Sequence, residues 1–435
     1  MTSNPKLVFF VLLGIPALLF ALLSADFNTR LVNTQEIDLE GITQLEISYV
    51  SGDVTVYKSE SNQLVLKEYM RKNNSDLYAV VSKSGNSVSI ENGERPKLRF
   101  GSYNVRVEVF LPASFHENLT VSTGSGNIVS NADLNLKNCR LTSVGGSVTA
   151  KRIDGNTFAE SISGSIRIGE LKGDKFSLET RSGSIALGDV DGKMLDVETV
   201  AGKIEIHKLK CPSVDVTSIS GSIRIGELNG DKFSLETRSG SVALNDVDGK
   251  MLDVETVAGK IEIGKLKCPS VDATSVSGSI RIGELKGTKF NLETRSGSVA
   301  LNGVDGENLD IETTSGKIEI DRLKSRFALN SISGAVKVNE ITGFGNVYSG
   351  SGYIHTRFAA LSGNVSMHSI SGSVSMQLPS ETGFDLKASS SSGMVNVNYG
   401  AQQIAAKSVA QRFGEPNHTV DLQSTSGSIR VNDWK

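Results

Sequence analysis

Eleven carboxylates return along the middle of the sequence on one strict period, the step from Glu179 to Glu198 and from Asp196 to Asp215. One set is Glu179, Glu198, Glu236, Glu255, Glu293 and Glu312; the other is Asp196, Asp215, Asp253, Asp272 and Asp310. The residues around them alternate apolar and polar with period two, a strand pattern. That pattern puts all eleven on one outward face, with Glu179 and Glu198 about 5 Å apart in neighbouring chain segments. Carboxylates so close repel unless they are screened or bridged. Two chemistries follow. The face binds Ca²⁺ or another cationic ligand weakly, since Ca²⁺ takes carboxylate oxygens. Alternatively it is a solvated acidic face that keeps the molecule soluble and discourages lateral association. Lys175, Arg181, Lys232, Arg238, Lys289 and Arg295 offset about half of the charge. The second reading is preferred, and no metal ligand set is assigned.

The other reactive side chains are scattered. The histidines are His116, His207, His355, His368 and His418, and His207 becomes Gly264 one block later. Parallel β-helices host polysaccharide lyases and hydrolases, whose grooves gather unlike carboxylate and basic groups. Here the acids recur in every repeat, so none is singled out. No H-E-x-x-H, G-x-S-x-G, phosphate-loop or dinucleotide fingerprint is present. No catalytic residue and no cofactor are assigned, and a glycan-active enzyme is the least favoured reading. Cys139, Cys211 and Cys268 make an odd set, unlike a disulfide-stapled exported protein. Cys211 and Cys268 stand at equivalent corners three repeats apart, roughly 14 Å and too far for a bridge. Cys139 falls in an apolar column as a small core residue. With a net charge of −3 and no basic block, nucleic acid is excluded as a partner.

These residues are positioned by repetition. The stretches 176–194, 195–213 and 214–232 are equal in length, and each centres on a small residue followed by glycine. Gly183, Gly202, Gly221, Gly240, Gly259, Gly278, Gly297 and Gly316 keep a spacing of 19; Gly334 and Gly352 shorten it to 18, and Gly372 and Gly393 lengthen it to 20 and 21. Upstream the series reaches Gly164, Gly146 and Gly126. On top lies a 57-residue period: 161–217 and 218–274 differ at five positions, and 275–331 is a third, more diverged copy. Moving by 19 keeps inward positions apolar, as in Ile166, Ile185, Ile204, Ile223, Val242, Ile261, Ile280, Val299 and Ile318. A coil of this length cannot bury its own inner face, but stacked on the next at roughly 4.8 Å it pairs its backbone and lays Ile on Ile. The sequence therefore predicts an all-β protein, a parallel β-solenoid of about 19-residue coils, right-handed by the crossover rule. Its corner glycines are expected to serve positive φ or close backbone approach. About sixteen corners imply a rod on the order of 75 Å long. On the opposite outward face, Glu205 precedes Arg224 and Glu262 precedes Arg281, while Asp189, Lys208, Glu227, Asp246, Lys265 and Glu284 form a neighbouring column in which opposite charges recur in adjacent coils. These read as ion pairs that set register.

The flanks carry the rest of the organisation. Lys6 and an apolar run from Leu7 to Leu23, followed by Ser24 and Ala25, describe an export signal or a membrane anchor over 1–25. Residues 26–125 form an N-terminal β region and cap, 126–400 the solenoid, and 401–435 a C-terminal cap, with Gln402–Asn417 expected as a loop or short helix and Ser424–Val431 as the last strand pair. Solenoids need such caps because an open strand edge recruits other chains. The repeated Ser-Gly-x-[Ile/Val] corners stand behind Ser51-Gly52-Asp53-Val54-Thr55-Val56 and Val107-Glu108-Val109-Phe110-Leu111-Pro112. This combination resembles the bacterial "putative adhesin" β-strand repeat family of exported proteins, over roughly residues 40–432. The resemblance implies a surface role and offers no catalytic residue. The functional expectation is a non-enzymatic cell-envelope or surface repeat protein, tethered by residues 7–25 or released after cleavage, with a protein or glycan surface ligand and membrane contact only through its start. The alternative is an envelope binding or sensing module acting through the N-terminal β region, with Phe100, Tyr103 and His116 as candidates.

Overall fold

The computed structural model describes residues 29–93 and 105–434. Among them all strands join one continuous β-solenoid, and the sole helical element is a single turn, Ser75–Leu77. Each repeat coil has two strands meeting at the Ser-Gly corner: Lys175–Thr180 runs up to it and Ile185–Asp191 leaves it. Each strand pairs in parallel with its equivalent one period on, so Phe176 lies beside Leu195, Ile185 beside Ile204 and Val190 beside Leu209. Every member of the Ile166–Ile318 column is 0% exposed. Burying one such aliphatic side chain stabilises by about 1.5–3 kcal/mol. Two strands per coil enclose a narrow core, and only the neighbouring coils complete it. Where the period drops to 18, the ladder absorbs the missing residue as a register shift between Asp305 and Asn308.

The corner glycines serve close approach. None from Gly126 to Gly393, nor Gly427, has a left-handed φ. A methyl group on Gly221 would overlap the carbonyl oxygen of Gly202, and one on Gly202 would overlap that of Gly183. The corners stack so tightly that no larger residue fits.

At the N-terminal end the chain does not stack in sequence order. The strands there are β1 (Arg30–Asp38), β2 (Gln44–Tyr49), β3 (Asp53–Ser59), β4 (Gln63–Met70), β5 (Val80–Ser84), β6 (Ser87–Glu91), β7 (Arg106–Pro112), β8 (Asn118–Thr123) and β9 (Ile128–Ser143). β2 and β3 make one coil, bent at Gly52, and pair in parallel with β8 and β9. On the other side of that coil lie β6 and β7, also parallel. Outside these, β5 and β4 pair antiparallel to β6 and β7, and β1 antiparallel to β4. An antiparallel outer layer ends the ladder of parallel coils and covers its first open edge.

The C-terminal end uses the same device. Val374–Pro379 pairs with Ile429–Trp434, and Val365–Ser369 with Val420–Ser424, so the last strands of the chain sit inside the stack. Beyond them come Phe384–Ser390 and Val395–Tyr399. Ser408–Phe413 and Gln402–Ala406 close the end antiparallel. The segment expected as a loop or short helix is therefore two strands. Its polar, largely exposed side chains conceal the strand period, because an outer strand buries little. Trp434 fastens the inserted coil: its indole Nε1–H donates to Phe358 O at 3.0 Å, and the Arg357 guanidinium lies 3.9 Å from its ring centre.

Candidate functional surfaces

A hydroxyl column runs beside the corner glycines. Thr180 Oγ1 accepts from the Gly183 N–H at 3.1 Å and donates to the Gly164 carbonyl of the preceding coil at 3.0 Å. Ser218 does the same with Gly221 and Gly202, at 2.9 and 3.4 Å. The motif extends from Thr123 to Ser424. These hydroxyls are almost fully buried. Sequence reasoning fixed on the Ser-Gly pair and passed over the Ser or Thr three residues before each glycine, although its recurrence at every corner is visible in the chain.

The carboxylates fall where the period placed them. Glu179 stands beside Glu198, Asp196 beside Asp215, Glu236 beside Glu255, Asp253 beside Asp272, and Glu293 beside Glu312. Partial burial raises the pKa of Asp196, and the charges of Asp215 and Glu179 add to it. Burial and then Asp196 do the same to Glu198. Asp253, Glu255 and Asp310 are raised likewise, by burial first and then by Asp272, Asp253 and Glu312 respectively. The acids repel along the rod without converging: among the described residues no group of three or more His, Cys, Asp or Glu side chains is placed to hold a metal ion.

The opposite face is laced with ion pairs between adjacent coils. Lys208 meets Glu227 at 2.9 Å and Arg281 meets Glu262 at 3.5 Å. Glu205 and Arg224 are register neighbours. Asp189 instead pairs with His207, Nδ1 to Oδ1 at 3.1 Å. Arg322 reaches two coils back to Glu284 at 2.8 Å, passing over Gly303. A further column the sequence reading did not single out gives Lys267–Asp248 at 2.9 Å and Lys324–Asp305 at 3.3 Å. All are exposed and screened by solvent, so they serve register more than stability.

The thiols are buried and free. Cys139 lies in the column of Thr157 and Phe176, and burial pushes its pKa to about 12. Cys211 and Cys268 donate to the carbonyls of Ser213 and Ser270 at 3.3 and 3.2 Å. His116 contacts the Asn135 carbonyl at 2.9 Å and borders a hollow of about 490 Å³ with Asp38, Glu40 and Asn62. Phe100 and Tyr103 lie outside the described residues. His368 packs edge-on to Tyr348, and burial followed by the Lys337 charge lowers the pKa of His355.

Unlike residues do converge near the N-terminal end of the acidic face, in a hollow of about 530 Å³. Asn156 Nδ2 donates to Asn138 Oδ1 at 3.1 Å, and Asn138 Nδ2 to Asn118 Oδ1 at 2.6 Å. Asn156 Oδ1 accepts from the Lys175 N–H at 3.1 Å. Beside this amide ladder the Arg140 guanidinium lies 3.8 Å from the ring centre of Phe158. Lys175, Met194 and Asp196 complete the wall. The hollow offers amide hydrogen bonds, an aromatic surface and positive charge at one place, a combination suited to binding a polar ligand.

The model of the family described as Toastrack DUF4097 matches residues 42–211, 198–283 and 269–432, nearly the whole stack. The chain belongs to the Toastrack DUF4097 family. This bears out the resemblance read from its Ser-Gly corners. Among solved structures, this Toastrack chain is similar to a "putative adhesin" from Parabacteroides merdae, at 14% identity and TM-score 0.23, covering 71% of this chain and 96% of that one. It is similar to a "putative cell adhesion protein" from Clostridium sporogenes at 9% identity and TM-score 0.18, over 93% and 100% of the two chains. A "putative lipid binding protein" from Parabacteroides distasonis matches at 15% identity and TM-score 0.18, over 71% and 96%. No curated protein matches the chain. Among the described residues no helix is long and apolar enough to cross a membrane; the apolar run 7–25 lies outside them.

Proposed function

We propose that this chain is a non-enzymatic, exported rod of the cell envelope whose repeated outward surface is what it presents to other molecules, as an adhesin or structural surface protein does. One observation carries the reading. The blocks 161–217 and 218–274 stack in unbroken register, and 275–331 follows them with a single register shift near its end, so most of the same side chains recur at every third coil. Function on such a surface scales with length, whereas an enzyme needs unlike groups gathered once. The basic and apolar start of the chain supports export. Fractionation of native cells with intact-mass measurement tests it. Recovery in the membrane at full length, or outside the membrane without about the first 25 residues, agrees with the proposal. Full-length protein in the cytosolic fraction contradicts it.

The Asn118–Asn138–Asn156 ladder with Arg140 on Phe158 favours a second reading, a binding module at the N-terminal end for a polar protein or glycan ligand. If Arg140→Ala and Asn138→Ala abolish a surface phenotype that deleting 218–274 leaves intact, this reading replaces the first.

A further inference from the structure

Aliphatic side chains stand out from the Ser-Gly corners, where a coil turns from one face to the other. Ile162, Val200, Ile219, Val257, Val276 and Ile332 are 39–57% exposed. Backbone hydrogen bonds between successive corners align them in one file, with Arg181, Arg238, Arg295 and Thr314 filling the remaining places. The file is an apolar ridge interrupted by a guanidinium every third coil. Arg181, Arg238 and Arg295 are exposed and join no ion pair among the described residues. Immediately beside the ridge run the doubled glutamates Glu179/Glu198, Glu236/Glu255 and Glu293/Glu312, with the same 57-residue period. One edge of the rod therefore carries apolar surface, unpaired cations and crowded anions in matching rhythm.

We propose that two copies of the chain pair antiparallel, edge to edge along this ridge, in the register that sets Ile219 of one copy against Val276 of the other. In that register Ile162 meets Ile332. Arg238 meets Val257 beside Glu255, Arg181 meets Thr314 beside Glu312, and Arg295 meets Val200 beside Glu198, each across the two-fold. All three guanidiniums then stand by a glutamate that its own neighbour crowds, and no arginine faces another. A slip of one coil spoils this: it sets Arg238 against Arg238, or moves it to Val276, which is flanked by Thr274 instead of a glutamate. A parallel pair in step would oppose like charges, and a parallel pair out of step would not close on itself. The acidic face discourages rods from meeting broadside, while the ridge lets them meet on edge. If the chain starts are anchored, antiparallel partners project from opposing surfaces; that meaning rests on the envelope reading, while the pairing itself stands on the ridge.

The test uses the purified, exported chain in sedimentation velocity over a range of concentrations. A monomer–dimer equilibrium is expected. Reversing Arg181, Arg238 and Arg295 to Glu should weaken it by roughly tenfold or more, since six exposed charge pairs per dimer are lost. Reversing Glu198, Glu255 and Glu312 to Arg should do the same, and mixing the two variants should restore the dimer. On the otherwise native ridge, Ile219→Cys with Val276→Cys should yield a disulfide-linked dimer under mild oxidation. These two positions are three coils apart, roughly 14 Å, and cannot bridge within one chain. Ile219→Cys alone should give little. A monomer at all concentrations, a dimer indifferent to both charge reversals, or equal trapping by Ile219→Cys alone would each overturn the proposal. Association is read without cells, so its failure is separate from a failure of export.

Discussion

The middle of the rod and its two ends are built from the same coil and obey different rules. Between positions 161 and 331 each coil rests on the one a single period before it, and a block can be exchanged for its neighbour with little change of environment. At the ends, strands distant in sequence interleave: β6 and β7 lie outside β2 and β3, and Ile429–Trp434 lies between Val374–Pro379 and Val395–Tyr399. The middle gains stability by repetition. The ends use their sequence to stop it, because an unfinished parallel edge offers a row of unpaired amide and carbonyl groups to any other chain.

Deleting strands from each region puts this contrast under the heaviest strain. Removing 218–274 joins Thr217 to Ser275 in register and should leave a shorter, cooperatively folding rod. Truncation after Phe413 removes Thr419–Trp434 from inside the stack, separates the closing strands from the solenoid and should give aggregation or loss of the folded state. Circular dichroism and sedimentation of both variants decide. Equal damage from both deletions would remove the distinction.

The next largest effect is expected at the tight corner. Gly221→Ala drives a methyl into the Gly202 carbonyl, and should destabilise the rod by about 3 kcal/mol. Gly400→Ala, at an open turn with no atoms near the added carbon, keeps only the strain of its left-handed φ, and should cost about 1 kcal/mol. Thermal unfolding of the two variants gives the comparison.

Ser218→Ala strips the hydroxyl bridge between Gly221 and Gly202, leaving a buried N–H unsatisfied, at about 1–3 kcal/mol. Ser218→Thr, the residue found at Thr237 and Thr256, should restore most of it. The smallest effect concerns the acids. Asp196 and Glu198 titrate above their ordinary range in the folded rod, so protonation favours folding. Their penalty is present at neutral pH and disappears as pH falls through the raised values. Asp196→Asn with Glu198→Gln should therefore raise stability at neutral pH by about 0.2–1 kcal/mol, the range for a solvent-facing cross-strand pair. The gain should vanish in acid. A loss of stability at neutral pH would contradict mutual repulsion along this face.

Much of this was legible in the chain because register turns sequence period into spatial neighbourhood. Ile185 lies beside Ile204, and Glu179 beside Glu198, for the single reason that the members of both pairs are one period apart. The corner hydroxyls are equally legible, since a Ser or Thr stands three residues before each corner glycine, as Thr180 does before Gly183 and Ser218 before Gly221. The hollow around Phe158 was not legible: an aromatic at an outward position breaks no pattern until Arg140 is found one coil back, stacked upon it.

The coil, its columns, its faces and its buried thiols all follow from the order of residues alone, since each depends on contacts one period away. How the stack begins and ends does not. Strands such as Gln402–Ala406 and Ile429–Trp434 take their places through long-range pairings with segments that share no period with them. Local alternation marks a strand as a strand but says nothing about which distant edge will accept its hydrogen bonds.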